Sequence, residues 1–318
     1  MLFRILPVMV WSFTGTFVGT SLAILDGYEI KWLLFLLVLT ISSLTQGYPT
    51  HIINEIFDWK SGADSRELHD KKSGGSKVLQ ARLLSIGDLW KAFFVTNLGL
   101  LILLTGCVAL INSSIVFYFM VPGYLSGLLY SLPPFRFSYR PFLGDWLGGF
   151  AGMFLLVLGS YYAQSLAVNA VALLTASGIG LIYIGIMIFF HYVDIENDRL
   201  ATPPKNTTVV FLGLDGSRRY VYACLAASTA VFLFTSITFQ LYLMPFVALS
   251  VILLFSHRNS DLKNNLSVIK WGKVITWATI GCGLGFAAAV QPIMLFMAIP
   301  IAIGFWSHKK FGKLTGIR

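Results

Sequence analysis

Ten apolar stretches follow one another along a chain of 318 residues, and they limit the possible folds more than any other feature. They run roughly over 5–25, 32–53, 89–111, 114–132, 143–164, 168–192, 219–239, 241–256, 271–289 and 290–306. A hydrocarbon core about 30 Å thick is crossed by about 20 residues of helix, and only a backbone that satisfies its own hydrogen bonds can cross it. Charged residues make up 12% of the chain and hydrophobic ones 56%, whereas soluble domains carry about 25% charged residues. The expected fold is an all-α polytopic membrane protein, one integral domain over 1–318. Nine or ten transmembrane helices should surround a central cavity; only Gln291-Pro292 separates the last two stretches, so the count stays between the two. Arg4 alone precedes the first stretch and no small-residue cleavage site follows, so 5–25 reads as a span rather than a leader. Cys107, Cys224 and Cys282 each stand alone in apolar surroundings, which suits packing rather than a disulfide or a metal set.

Basic residues set the orientation. Of 23 Lys and Arg, all but Lys31 fall at the termini or near connections on one side of the expected bilayer. That side is taken as cytoplasmic, with the N-terminus on it and, for an even number of spans, the C-terminus as well. The setting this implies is the cell membrane. All acids except Asp26 and Glu29 lie on the same face, as do the connections near 54–88, 133–142, 193–218 and 257–270. The net charge of +9 is therefore mostly a topology signal. Nothing in it resembles a nucleic-acid surface, because no basic patch interleaved with base-stacking aromatics stands apart. Long connections on one face place the active surface there.

Two polar helix ends match one another. "HIINEIFDWKSGAD" begins at His51 and "HYVDIENDR" at His191, and His51, Asn54 and Asp58 have the spacing of His191, Asp194 and Asp198. Polar groups at i, i+3 and i+7 share one helix face, and those four apart are surface neighbours. Asn54 with Asp58, and Asp194 with Asp198, thus form two oxygen-rich claws. Unpartnered carboxylates at a membrane boundary are costly. Mg²⁺ relieves that cost, since it takes oxygen ligands and is commonly held by one or two carboxylates plus substrate phosphates. Two claws predict two Mg²⁺ ions clamping one diphosphate. Asp64 adds a further carboxylate, and Glu55, His51 and His191 stand where they could support the ligands.

These motifs resemble those of the UbiA superfamily of intramembrane aromatic prenyltransferases. "NEIFDWKSGAD" resembles its first aspartate motif and "DIENDR" its second, Asp-x-x-x-Asp, motif. "GGSKVL" (Gly74 to Leu79) resembles the loop after the first motif, and "YSLPPFRFSYRPFLGD" (Tyr130 to Asp145) the connection between spans four and five. The interval from Asp58 to Asp64, with Gly62 between, is most similar to the branch that prenylates 1,4-dihydroxy-2-naphthoate in menaquinone synthesis. The resemblance implies Mg²⁺-dependent transfer of a polyprenyl group from an allylic polyprenyl diphosphate to an aromatic acceptor. Asn54, Asp58, Asp64, Asp194 and Asp198 would hold the metal and diphosphate. Arg66, Lys205, Arg136 and Arg140 would clamp phosphate, and Tyr130 would shield the allylic cation with its ring. Within the superfamily, 4-hydroxybenzoate, a chlorin or haem ring and a glycerophosphate lipid remain rival acceptors. A secondary transporter is the alternative of another class, although its acids should lie near the bilayer midplane. Oligomeric state is not legible.

Overall fold

The computed structural model describes residues 5–64 and 75–311. Among the described residues all regular structure is helical. In chain order the helices are α1 (Ile5–Leu25), α2 (Trp32–Gly47), α3 (Pro49–Ser61), α4 (Ile86–Ile111), α5 (Ser114–Leu129) and α6 (Gly144–Ser165). They continue as α7 (Ala170–His191), α8 (Ile195–Leu200), α9 (Thr208–Thr238), α10 (Leu241–Asn259), α11 (Asn265–Val290) and α12 (Pro292–Lys310). Nine apolar helical runs among the described residues are long enough to span, with α2 and α3 counted as one; α5 is a shorter tenth. The ten expected stretches are all present, in order.

Local chemistry sets the ends that matter. Tyr48 (φ −123°, ψ −79°) breaks the run between α2 and α3, and Pro49 starts α3, where a missing N–H costs nothing. Gly62 ends α3 in the left-handed region that only glycine adopts freely. Ser85 and Asp88 form a reciprocal capping box on α4. The expected polar connection 193–218 is more structured than its composition suggests. It contains α8, and the Thr207 hydroxyl caps the first turn of α9 by accepting from Val210 N–H. The start of α9 is set off from its long apolar remainder by a kink at Gly213 (φ 69°).

Apolar packing is inverted where lipid replaces water. Phe94, Val95, Leu98, Leu101 and Ile102 of α4 are all more than half exposed, which hydrocarbon solvates without penalty. The core lies between α1, α6, α7, α9, α10 and α11, where Phe17, Tyr161, Tyr183, Phe189, Phe232 and Phe246 are almost wholly enclosed. Small residues let helices approach: a side chain on Gly19 of α1 would strike the backbone of α6 at Val157 and Tyr161. Successive helices return the chain to one face. Ser131 after α5 reaches Asn54 of α3, and Arg218 of α9 reaches the Ser260 carbonyl after α10. At the opposite face Phe296 of α12 lies against Trp32 at the start of α2. Gly304, eight residues further along α12, meets Ile5 and Met9 of α1, so α12 runs back toward the face on which the chain begins.

Candidate active site

The two claws meet. Asp58 projects from α3 and Asp198 from α8, and the Lys205 ammonium stands between them, 2.7 Å from Asp58 Oδ2 and 3.8 Å from Asp198 Oδ1. All three side chains are buried. Lys205 is held by its backbone as well, its N–H donating to the Asp198 carbonyl at 2.9 Å. Thr202 N–H donates to the Ser61 carbonyl at 2.7 Å, which ties this segment to the end of α3. Asn54 completes the first claw by donating from Nδ2 to Asp58 Oδ2 (2.8 Å) and to Ser131 Oγ (3.0 Å).

The second claw keeps its i, i+4 spacing at the start of a new short helix. α7 ends at His191, a turn follows, and Asp194 takes the N-cap position of the short α8 without a capping bond from its side chain, with Asp198 N–H donating to the Asp194 carbonyl at 2.8 Å. His191 therefore belongs to the preceding helix, and its Nε2 pairs with the Tyr130 hydroxyl at 3.0 Å. His51 is turned back along its own chain, where its Nδ1 meets the Gln46 carbonyl.

Asp64 and Glu55 build a second wall. A Cβ on Gly75 would run into the Asp64 carboxylate and lie 3.4 Å from Glu55 Oε1, so glycine is needed where the 75–84 loop passes over these acids. Glu55 accepts from Ser76 N–H through both oxygens, at 2.9 and 3.2 Å. Its role here is to hold that loop. Arg66 lies outside the described residues. Arg136 reaches the site through aromatic rings: its guanidinium lies 5.2 Å from the Tyr139 ring centroid and 5.8 Å from that of Phe57. Arg140 is exposed and leans on the Pro134 carbonyl at 3.5 Å, so it is not brought to the carboxylates.

Charge is unbalanced inside. Burial raises the Asp194 carboxyl well above its ordinary value, and the neighbouring Asp198 charge adds to this. Asp198 is pushed up to about 7, chiefly by burial; Lys205 partly offsets the shift and Asp58 and Asp64 reinforce it. Burial alone would lower the Lys205 ammonium, but Asp58 and Asp198 carry it well above its ordinary value. Asp198 Oδ2 is buried with no hydrogen-bond partner among the described residues. Among the described residues no three Asp, Glu, His or Cys side chains make a complete metal cage. The donors nonetheless fit Mg²⁺: they are hard oxygens, too many for the cations beside them, and one is open. That suits an ion whose remaining ligands come from a phosphate substrate and water.

Three participants escaped the sequence reading. Tyr139 donates from its hydroxyl to Asp58 Oδ1 (3.3 Å) and to Ser61 Oγ (2.8 Å), and the Lys205 ammonium lies 5.9 Å from its ring centroid. Ser131 accepts from Asn54. Lys77, only 3% exposed, follows the serine that Glu55 holds, and its ammonium has no hydrogen-bond partner among the described residues. All three lie in segments singled out by motif, yet no local spacing marks them, because tertiary approach alone brings them in.

The profile of the UbiA prenyltransferase family matches residues 12–280. A 1,4-dihydroxy-2-naphthoate octaprenyltransferase of Bacillus subtilis (strain 168) is 27% identical over 220 residues, covering 69% of this chain and 66% of that protein. A protein of the same description from Escherichia coli (strain K12) is 27% identical over 229 residues, with 69% and 70% covered. The chain thus matches about two thirds of the length of these curated relatives. Among solved structures, a UbiA homolog from Archaeoglobus fulgidus bound to GPP and Mg²⁺ superimposes with a TM-score of 0.63 at 20% identity, covering 90% of this chain and 98% of that one. Its likeness is one of fold.

Proposed function

The chain belongs to the UbiA prenyltransferase family, and from that premise we propose that it transfers a prenyl group from an allylic prenyl diphosphate to an aromatic acceptor, 1,4-dihydroxy-2-naphthoate, at a membrane. One observation carries the reading: buried carboxylates from two helix ends converge on a single ammonium, Lys205, and leave one oxygen open. The neighbour that binds GPP and Mg²⁺ supports the donor class and the metal. The two relatives support the naphthoate. Two Mg²⁺ ions are proposed, one per claw, held by Asn54, Asp58 and Asp64 and by Asp194 and Asp198.

Mg²⁺ held there by these carboxylates would supply positive charge to the leaving diphosphate. The protein's own groups do the rest. Lys205 and Arg136 face the departing oxygens and stabilise charge as the C1–O bond breaks, with the electron pair leaving on the diphosphate. The buried Lys77 ammonium has no hydrogen-bond partner among the described residues, and an anionic donor would provide one. Arg66 is proposed as a further clamp from its motif, whereas Arg140 is exposed and leans on the Pro134 carbonyl. Tyr130, held through its hydroxyl by His191, presents its ring beside the allylic cation. Apolar helix walls keep water from that cation. A ring carbon of the acceptor then attacks C1. Aromaticity returns with loss of a proton from that carbon or, where it carries the carboxylate, of carbon dioxide.

The test is to incubate purified protein with Mg²⁺, a labelled prenyl diphosphate and an acceptor panel. Dihydroxynaphthoate should be prenylated well above 4-hydroxybenzoate, a porphyrin or a glycerophosphate. Turnover of another acceptor alone overturns the acceptor and leaves the transferase standing. Diphosphate release from no donor, whatever the acceptor, overturns both.

A further inference from the structure

Asp145 is a buried acid that the site described above leaves unused. It lies at the start of α6, only 2% exposed, and no cation pairs with it among the described residues. Its Oδ2 accepts from the hydroxyl of Thr208, the first residue of α9, which is equally buried. The same hydroxyl accepts from Phe142 N–H at 2.8 Å. Thr208 thus bridges the segment before α6 to the segment after α8. Phe142 stands in the left-handed region (φ 65°), which a bulky side chain rarely enters. Such strain persists only where the surroundings fix it. Here the fixing contacts come from α9, since the Phe142 ring also packs on Phe211 and Tyr220 with centroids 6.0 and 5.3 Å away.

Both sides of this bridge carry active-site groups. On one side, a Cβ on Gly144 would lie 3.2 Å from the Tyr130 ring, Ser138 N–H donates to the Tyr130 carbonyl at 2.9 Å, and Tyr139 reaches Asp58. On the other, Lys205 precedes Thr208 by three residues, and its carbonyl accepts from Thr207 N–H at 2.9 Å. α6 itself opens with a π-helical stretch, Gly144–Phe150, a winding that often marks functional sites. We infer that Asp145 is a positioning residue: through the Thr208 hydroxyl it sets the Lys205 ammonium against Tyr130 and Tyr139; this rests on the transferase reading, in which Lys205 meets the donor diphosphate. A hydroxyl has one proton to give, and giving it to Asp145 turns its lone pairs toward Phe142 N–H. A carboxylate is the stronger kind of acceptor for that proton. Asp145 passes no proton to or from substrate in this role.

The experiment takes the purified full chain and measures the Kd of geranyl diphosphate with saturating Mg²⁺, turnover with dihydroxynaphthoate, and melting temperature without donor. Thr208→Val keeps the shape and loses the hydroxyl. It should weaken donor binding about tenfold or more, since a displaced ammonium meets the diphosphate poorly. Should that variant not fold, Thr208→Ala carries the same expectation. Thr208→Ser should bind as the wild type does. Asp145→Ala should match Thr208→Val, and joining the two should cost little more than either alone, because both break one bridge. Ser228→Ala is the control, removing a buried hydroxyl of the same helix that donates to the Gly178 carbonyl at 2.9 Å. It should lower the melting temperature and leave donor affinity unchanged. Asp145→Asn keeps an acceptor oxygen and should retain most binding and turnover. Wild-type affinity in Thr208→Val, or equal weakening in Ser228→Ala, overturns the inference and leaves the transferase reading intact. So does an Asp145→Asn variant that binds donor normally but has lost turnover, which would make Asp145 a proton-transfer group. Failure of the wild type to bind geranyl diphosphate overturns both.

Discussion

With one ammonium shared between them, Asp58 and Asp198 depend on a charge that the protein only half supplies. Asp58→Asn and Asp198→Asn should each lower turnover by at least about a hundredfold, the usual cost of losing a charge-stabilising group, while the purified protein stays monodisperse in detergent. Near-normal turnover in either variant with saturating Mg²⁺ would exclude the two-claw site. The Asp198 proton gives a second test. A carboxyl raised to about 7 in the fold, against about 4 when unfolded, binds its proton more tightly in the native state. Stability should therefore fall as pH rises between those values in a chelator. Mg²⁺ should restore it at neutral pH, and Asp198→Asn should lessen the dependence, leaving the part contributed by the buried Asp194. Melting temperatures that rise with pH in the chelator would contradict the assignment. Tyr139→Phe removes one hydrogen bond to Asp58, about 1 kcal/mol, so roughly a fivefold to tenfold loss in kcat/KM is expected, an order of magnitude milder than loss of Asp58.

At the scale of elements, the claws were legible because their partners lie four residues apart on helices, and that spacing places them together whatever the rest of the chain does. The first claw is realised on α3 as the pattern requires. The second opens a new short helix, because the chain turns between His191 and Asp194 to begin α8, and a periodicity count has no means of seeing that turn. Arg140 was a reasonable clamp by position, yet it faces outward, since Arg136 and Tyr139 fill the inner side of the same short segment. Lys205 was expected from its nearness in sequence, but its wedge between two acids depends on the tie from Thr202 to Ser61, a contact between residues 141 positions apart. Gly213 is the hinge of this region, with a φ of 69° that side chains adopt at a cost. Gly213→Ala should destabilise the protein by about 1 kcal/mol through backbone strain alone, measurable as a lower melting temperature. An unchanged or higher value would mean that α9 straightens without penalty.

The described residues form ten apolar helical runs that alternate between two faces, with the site assembled where the second, fourth and sixth return. Length alone marks nine of these runs as spanning, and α5 is the exception: its 16 residues reach about 24 Å, short of a 30 Å core. It nonetheless carries the chain from the end of α4 to the face of the site, finishing at Tyr130 and Ser131, which touch it. The last pass has matching evidence. Phe296 is at the far face beside Trp32, and Gly304 lies against Ile5 and Met9, so α12 travels back toward the face of the claws. His308, Lys309 and Lys310 sit in its final turn, and Lys313 and Arg318 follow in the sequence. Cations gather on the cytoplasmic side of membrane helices, so charge and packing agree that both ends share a face, and that face is the one bearing Asp58 and Asp198. A reporter fused after Arg318 should therefore report from the cytoplasm, and one fused in the connection between Gln164 and Asn169 from the opposite side. Should the first report from outside, α12 would have to lie along the membrane or turn back within it, and the contact between Gly304 and Met9 would need another explanation.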